Sequence, residues 1–365
     1  MTRTDELSAT IEAGWTLPAD WYVSQDIFER EREQIFERSW QYVCHVGSLE
    51  RPGDYVTAEI GRVPVVVVRN KVGELAGFVN VCRHRCAEVV QGSGHRNVLQ
   101  CHYHAWTYDL DGQLVSAPRS EREDSFDLGS FCLQKVRVES WGPFVFANVS
   151  ADGASLAEQL GDLPALMTGD GLDFSSVRLV ERSEWEVAAN WKIVVENFDE
   201  CYHCSVAHPS FSRLMEVGPD SYRLESDEWW SRATTPLRAW PDSRQPDLPY
   251  DASGPVQAAQ FAFLWPNFTL VQNPGPPNLM ALYFVPKGPQ RTVVVSEYLF
   301  GDDASPEIIN DIMEFNVLVG AEDQRLVESV QRGMASNRVP QGRLLLDSER
   351  LIQHFQLLVH RALTS

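Results

Sequence analysis

The sharpest chemical pattern in the chain is Cys82-Arg83-His84, then sixteen residues, then Cys101-His102-Tyr103-His104, which reads C-x-H-x16-C-x-x-H. Two thiolates and two neutral imidazoles suit a two-iron, two-sulfur (2Fe–2S) cluster. The cysteines would hold one iron and the histidines the other, which raises the reduction potential above that of an all-cysteine cluster. The same donors can also make a structural zinc site. Zinc fingers usually pair Cys with Cys and His with His along the chain, whereas here each loop supplies one of each, and this favours the cluster.

A second constellation runs from Asn190-Trp191-Lys192 through Glu196-Asn197-Phe198-Asp199-Glu200-Cys201-Tyr202-His203-Cys204 to His208-Pro209. Two imidazoles with one carboxylate on one face of an iron leave positions open for dioxygen and substrate, which makes a catalyst rather than a closed structural site. His203 and His208 are five apart, and on a regular helix their side chains would diverge by about 140°. Pro209 disfavours helical geometry at His208, so the spacing predicts a helix that breaks between the two residues and lets them converge. Cys201-Tyr202-His203-Cys204 also contains C-x-x-C, a possible dithiol redox site. No βαβ pattern surrounds it, and Cys201 and Cys204 are expected as helix-packing residues beside His203.

The elements that must position these groups follow from hydrophobic periodicity. Asp26–Trp40 reads as a helix with Asp26 as its cap. Short β-rich runs follow at Tyr55–Ile60, Val65–Arg69, Gly77–Val81, Val98–Cys101 and Pro143–Val149, so each Cys/His pair sits in a loop after a strand. Asp109-Leu110-Asp111-Gly112 predicts a hairpin turn beyond the second pair. Polar residues from Ser150 to about Glu158 mark a boundary. Strands at Phe261–Leu264, Leu279–Val285 and Thr292–Phe300 precede a long helix capped by Ser305, with Pro306 at its first position and a pattern running towards Gly333. The expected fold class is α+β, divided into an N-terminal arm and helix (1–40), a small antiparallel β domain (41–150) and a second domain (151–365).

The totals exclude other classes. A formal charge of −20 and a pI near 4.8 oppose binding to nucleic acid or an anionic membrane, because both need a basic patch. No apolar run is long enough to span a membrane, and the first thirty residues lack a secretory pattern, so a cytoplasmic protein is expected. Seven cysteines in a chain of this size argue against a disulfide framework and leave metal or packing to explain them.

The loops Asn80-Val81-Cys82-Arg83-His84-Arg85 and Cys101-His102-Tyr103-His104-Ala105-Trp106, with the Asn-Trp-Lys segment and the E-x-x-H-x4-H run, closely resemble those of Rieske non-haem iron oxygenase α subunits. The resemblance runs from Trp21 to Val359. Cys86 and Ala105 stand where that family commonly has Gly, and His102 where it commonly has Pro. Cys86 has Tyr103 opposite it rather than a disulfide partner, and is expected as a packed free thiol. The resemblance implies an antiparallel β Rieske domain, then a catalytic domain whose antiparallel sheet surrounds a long C-terminal helix, in a head-to-tail homotrimer. It implies cluster ligands Cys82, His84, Cys101 and His104 and mononuclear Fe(II) ligands His203, His208 and Asp323, the last taken from the acidic pair Glu322-Asp323. Glu200 is implied as a non-ligand acid that joins the two centres across a subunit boundary. O2 is the implied co-substrate, with NAD(P)H feeding electrons through a separate flavin/iron–sulfur reductase.

Two other classes compete, a stand-alone electron carrier and a zinc or interaction protein, and the run from Glu200 to His208 argues against both. Within the family, glutamate at position 200 resembles the branch that demethylates betaines and other quaternary ammonium compounds. Hydroxylation of an aromatic or alicyclic acid is the alternative. Possible aromatic walls for a methylated ammonium are Trp229, Trp230, Trp240, Phe263, Trp265, Phe268 and Tyr283, most of them expected to be core.

Overall fold

A computed structural model describes residues 3–241 and 246–364, with side chains from residue 6 onward. The chain divides into two compact units, Glu31–Glu158 and a second made of Met1–Arg30 with Gln159–Ser365.

The first unit is built on a seven-stranded antiparallel sheet in the order Gln41–His45, Phe144–Asn148, Lys135–Trp141, Leu75–Val79, Val63–Arg69, Asp54–Ile60, Ser93–His95. The run Val65-Val66-Val67-Val68 is apolar throughout because both faces of its strand are covered. Val65 and Val67 pack with Val145 and Ala147, while Val66 and Val68 pack with Phe78, Leu99 and Tyr108. A three-stranded sheet of Leu99–Gln100, Thr107–Tyr108 and Leu114–Ser116 carries the predicted hairpin. Asp109 Oδ1 accepts from the backbone N–H groups of Asp111 (2.9 Å) and Gln113 (2.8 Å). Gly112 takes φ +80°, where a Cβ would lie 2.5 Å from the Phe78 ring, so only glycine closes this turn.

The second unit holds a seven-stranded antiparallel sheet in the order Arg178–Val187, Arg291–Phe300, Asn278–Gly288, Phe268–Gln272, Ala258–Leu264, Trp230–Pro236, Arg223–Ser226. The helix Pro306–Ala335 begins as expected, with Ser305 Oγ accepting from Ile308 N at 3.3 Å. Its Ile312 and Phe315 pack with Val271, Met280 and Phe300 of the sheet. A further helix, Leu346–Thr364, was not legible in the sequence. It inserts Phe355 among Trp191, Phe263 and Trp265, which makes two of the proposed aromatic walls core residues.

The first thirty residues attach to this second unit. Leu17 N donates to Gln356 Oε1 at 3.0 Å, and Gln353 Nε2 donates to Ile11 O at 2.8 Å. The helix expected at Asp26–Trp40 is shorter, Gln25–Gln34, followed by a 3-10 turn at Phe36–Arg38. Its cap is Ser24, whose Oγ accepts from Ile27 N at 3.3 Å, because Asp26 already lies inside the first turn. Among the described residues no helix is long and apolar enough to cross a membrane.

Candidate metal centres

The two Cys/His loops are built alike. Cys86 N donates to Cys82 O (3.1 Å) and Cys82 N to Ala87 O (2.8 Å); Ala105 N donates to Cys101 O (3.0 Å) and Cys101 N to Trp106 O (2.9 Å). Each loop therefore turns back on its own cysteine, and the return passes through a left-handed residue, Cys86 or Ala105, both at φ 58°. That conformation is why glycine suits these positions. Cys86 is a free thiol, but it is exposed rather than packed, since the turn swings it away from the core. His102 is exposed as well.

Cys82 and Cys101 are buried at 2% exposure, whereas His84 and His104 lie at the surface. The Tyr108 hydroxyl sits 3.5 Å from Cys82 Sγ and accepts from Arg83 N at 3.0 Å. Trp106 stacks on the His84 ring, with centroids 5.0 Å apart. The two Nδ1 atoms of His84 and His104 face each other at 3.2 Å. Two imidazole nitrogens and two buried thiols brought together in this way fit the mixed donor set of a 2Fe–2S cluster.

In the second unit the helix Trp191–Phe198 ends ahead of Glu200. A short helix, Cys204–Ala207, follows, and the chain breaks at His208 (φ −118°, ψ 79°) before Pro209–Leu214. This is the predicted break, and it brings His203 Nε2 within 3.0 Å of His208 Nε2. Asp323 Oδ1, from the long helix, lies 3.3 Å from the first nitrogen and 3.0 Å from the second. Donors about 2.1 Å from one metal at right angles are about 3.0 Å apart, so three atoms at these spacings fit one face of a six-coordinate iron.

The other ring nitrogens are held by acids. Glu200 accepts from His203 Nδ1 and from the backbone N–H groups of Tyr202 and His203. Glu322 Oε2 accepts from His208 Nδ1 at 2.8 Å. Both contacts fix the tautomer that leaves Nε2 bare and raise its basicity. Burial opposes protonation of His203, yet Asp323 and Glu200 lift it to about 9; His208 moves up under Asp323 and Glu322 as well. A site that draws a proton so strongly draws a divalent cation by the same charges. Asn197 Nδ2 donates to Asp323 Oδ1 at 3.2 Å and steadies it. Neither Glu322 as an orienting acid nor Asn197 was foreseen. An acidic residue beside a candidate ligand on one helix was the available signal for the former.

The reading of Cys201 and Cys204 as packing residues is corrected. They form a disulfide, because the turn through Tyr202 and His203 brings their Cα atoms to 4.9 Å, within bridging range. Cys204 Sγ lies 4.0 Å from His203 Nε2 but is committed to that bond, which leaves the Asp323 carboxylate as the group available to act as a third donor.

A cavity of about 580 Å³ opens onto His203, His208 and Asp323. Its aromatic lining is Trp185, Phe198, Tyr202, Phe211, Tyr222, Phe261, Tyr298 and Phe315. None of the seven aromatic residues named from sequence lines it. Composition counts aromatic side chains but does not say which face of a strand or helix they occupy.

A Cys2His2 cluster fold followed by a two-histidine, one-carboxylate centre defines a Rieske non-haem iron oxygenase. The chain belongs to the ring-hydroxylating oxygenase α-subunit family: residues 39–137 match the Rieske 2Fe–2S domain, and residues 174–365 match the catalytic domain of the ring-hydroxylating α subunit. It is 32% identical over 364 residues to the carnitine monooxygenase oxygenase subunit of Acinetobacter pittii strain PHEA-2, covering 97% of this chain and 96% of that one. It is 30% identical over 361 residues to the chloroplastic choline monooxygenase of Amaranthus tricolor, covering 96% and 78%. Among solved structures it is similar to a quaternary ammonium Rieske monooxygenase studied for carnitine oxidation by gut microbiota and inter-subunit electron transfer, with 31% identity, 97% of each chain covered and a TM-score of 0.84. The protein is thus the oxygenase component of a Rieske non-haem iron oxygenase system. It carries a Rieske cluster and a mononuclear iron, uses O2, and takes electrons from NAD(P)H through a reductase.

Proposed function

We propose that the enzyme oxidises a quaternary ammonium compound at an N-methyl group. The observation that carries this reading is the set of eight aromatic side chains that line a cavity shared with His203, His208 and Asp323. A methylated ammonium is held against aromatic faces by their negative quadrupoles, and it keeps little hydration to lose on entry. In the overall reaction O2, two electrons and two protons convert one N–CH3 to N–CH2OH and water. The hydroxymethyl ammonium then releases formaldehyde and a proton, leaving the tertiary amine. The iron, when bound, supplies the activation of dioxygen beside the substrate.

In this reading Cys82 and Cys101 hold one iron of the cluster, and His84 and His104 hold the other through Nδ1. His203, His208 and Asp323 hold the mononuclear iron. Glu200 keeps His203 in its ligating tautomer and links it to the cluster of a neighbouring subunit in a cytoplasmic homotrimer served by a flavin/iron–sulfur reductase. Support comes from the bare Nε2 atoms, from the acids on both Nδ1 atoms, and from the names of the similar proteins. The test is incubation of the reconstituted system with carnitine, choline, glycine betaine and proline betaine while formaldehyde and amine products are assayed. Hydroxylation of an aromatic acid, with no ammonium compound consumed, would overturn the reading.

A further inference from the structure

Relatives that act on carnitine and on choline stand at nearly equal identity, 32% and 30%, so sequence similarity does not separate a zwitterionic substrate from a simple cation. The charge on the cavity wall does. Four acids line it, Asp199, Glu200, Asp323 and Asp347, and among the described residues no lysine or arginine does.

The fold explains where the nearby guanidinium groups go. Leu224 and Ala233 line the cavity, and side chains alternate across a strand, so their neighbours Arg223 and Arg232 fall on the opposite face. There both pair with Asp170 and Glu225. Arg350 spends its guanidinium on the carbonyl of Leu224. Arg238 stacks on Trp240 and donates to Ser212 O at 2.9 Å.

What remains for a ligand is neutral or acidic. Asn273 Nδ2 donates to Asn316 Oδ1 at 3.1 Å, forming an amide pair on the cavity wall. Asp199, 5% exposed, takes the Ser231 hydroxyl on Oδ1 at 2.9 Å, while its Oδ2 has no hydrogen-bond partner. A carboxylate brought into this cavity would lose its hydration and, away from the iron centre, find no lysine or arginine to offset that cost. An ammonium, or a hydroxyl that can donate, meets the opposite situation.

We infer that, within the quaternary ammonium reading above and resting on it, this enzyme prefers N-methylated cations whose remainder is uncharged, such as amino alcohols, over betaines that carry a carboxylate. The pair that isolates the charge is (4-hydroxybutyl)trimethylammonium and γ-butyrobetaine, which share a carbon skeleton and differ at one terminal group. With the iron-loaded enzyme and a surrogate reductase, kcat/KM is expected to favour the alcohol at least tenfold, with calorimetric Kd values ordered the same way. Asn316→Arg, which adds a cation to the wall, is expected to narrow or reverse that ratio, with the electron paramagnetic resonance signals of both centres confirming that the variant is assembled. Equal or better use of γ-butyrobetaine by the unaltered enzyme, or a ratio that Asn316→Arg does not move, overturns the charge argument and leaves the ammonium reading standing. Consumption of neither compound, beside hydroxylation of an aromatic acid, removes the reading on which it rests.

Discussion

Glu196→Gln should stabilise the catalytic unit at high pH, although it replaces a charged side chain in a hydrogen-bonded network. Glu196 Oε1 accepts from the Tyr22 hydroxyl at 2.6 Å and from Gln356 Nε2 at 3.0 Å, and this enclosure pushes its carboxyl up from 4.5 to about 7. Burial raises the value, and the two hydrogen bonds and the charge of Lys192 only partly offset it. A group whose folded-state value exceeds its unfolded one contributes stability below the unfolded value and loses it as pH rises through the folded one. Here the full difference is about 3 kcal/mol, of which about 2 kcal/mol is lost between about pH 5.5 and 8.5. Both are upper values, because the residue is partly reached by solvent. For a unit of this size the loss corresponds to a fall of about 4–8 °C in apparent Tm. Glutamine mimics the protonated acid, so the variant should lack this slope and lie above the parent at the alkaline end. Apparent Tm by tryptophan fluorescence at one fixed scan rate, for both proteins across that range, measures it. Parallel profiles, or a variant less stable than the parent at every pH, would refute the reasoning.

Further substitutions have expected outcomes of their own. His104→Ala should abolish the Rieske electron paramagnetic resonance signal and Cys86→Ser should retain it, since the first removes a converging nitrogen and the second an exposed thiol. Asp323→Ala should lose mononuclear iron while keeping the cluster, and Glu322→Ala should weaken iron binding by about 10–100-fold in chelator competition, the usual cost of losing a partner that orients a ligand. Glu200→Gln should leave both metals bound, by iron content and spectroscopy, but slow turnover; an unchanged rate would remove its proposed role. Ala105→Gly should stabilise the cluster unit by about 0.5–1 kcal/mol, because relief of a left-handed alanine, about 1–2 kcal/mol, exceeds the extra chain entropy of glycine; thermal melts of the cluster-loaded protein test this.

The sequence was most readable where function depends on local spacing. The hairpin at Asp109–Gly112 is set by one aspartate and one glycine, and the long helix by Ser305 and Pro306, so short patterns identified both. Strands such as Lys135–Trp141 and Arg178–Val187 escaped because their exposed faces are charged, and the second also pairs with Arg291–Phe300, far along the chain. The cavity walls escaped for a related reason: Phe261 lines the cavity while Phe263, two positions on, packs on Phe355, a difference set by how the strand meets its neighbours rather than by residue type.

The mononuclear centre divides along the same line. Glu200 sits three residues before His203, and the turn between them carries its carboxylate to Nδ1, so that contact is local. The partners of His208 come from over a hundred residues away, and their arrangement depends on helix geometry. Successive helical residues diverge by about 100°, which lets Glu322 reach Nδ1 at 2.8 Å while Asp323 lies 3.0 Å from Nε2 of the same ring. One step along the long helix thus supplies both the acid that holds Nδ1 of His208 and the carboxylate proposed to complete the donor set. The proposed roles of this Glu-Asp pair therefore differ in consequence: loss of the first is expected to loosen the metal, and loss of the second to remove a ligand.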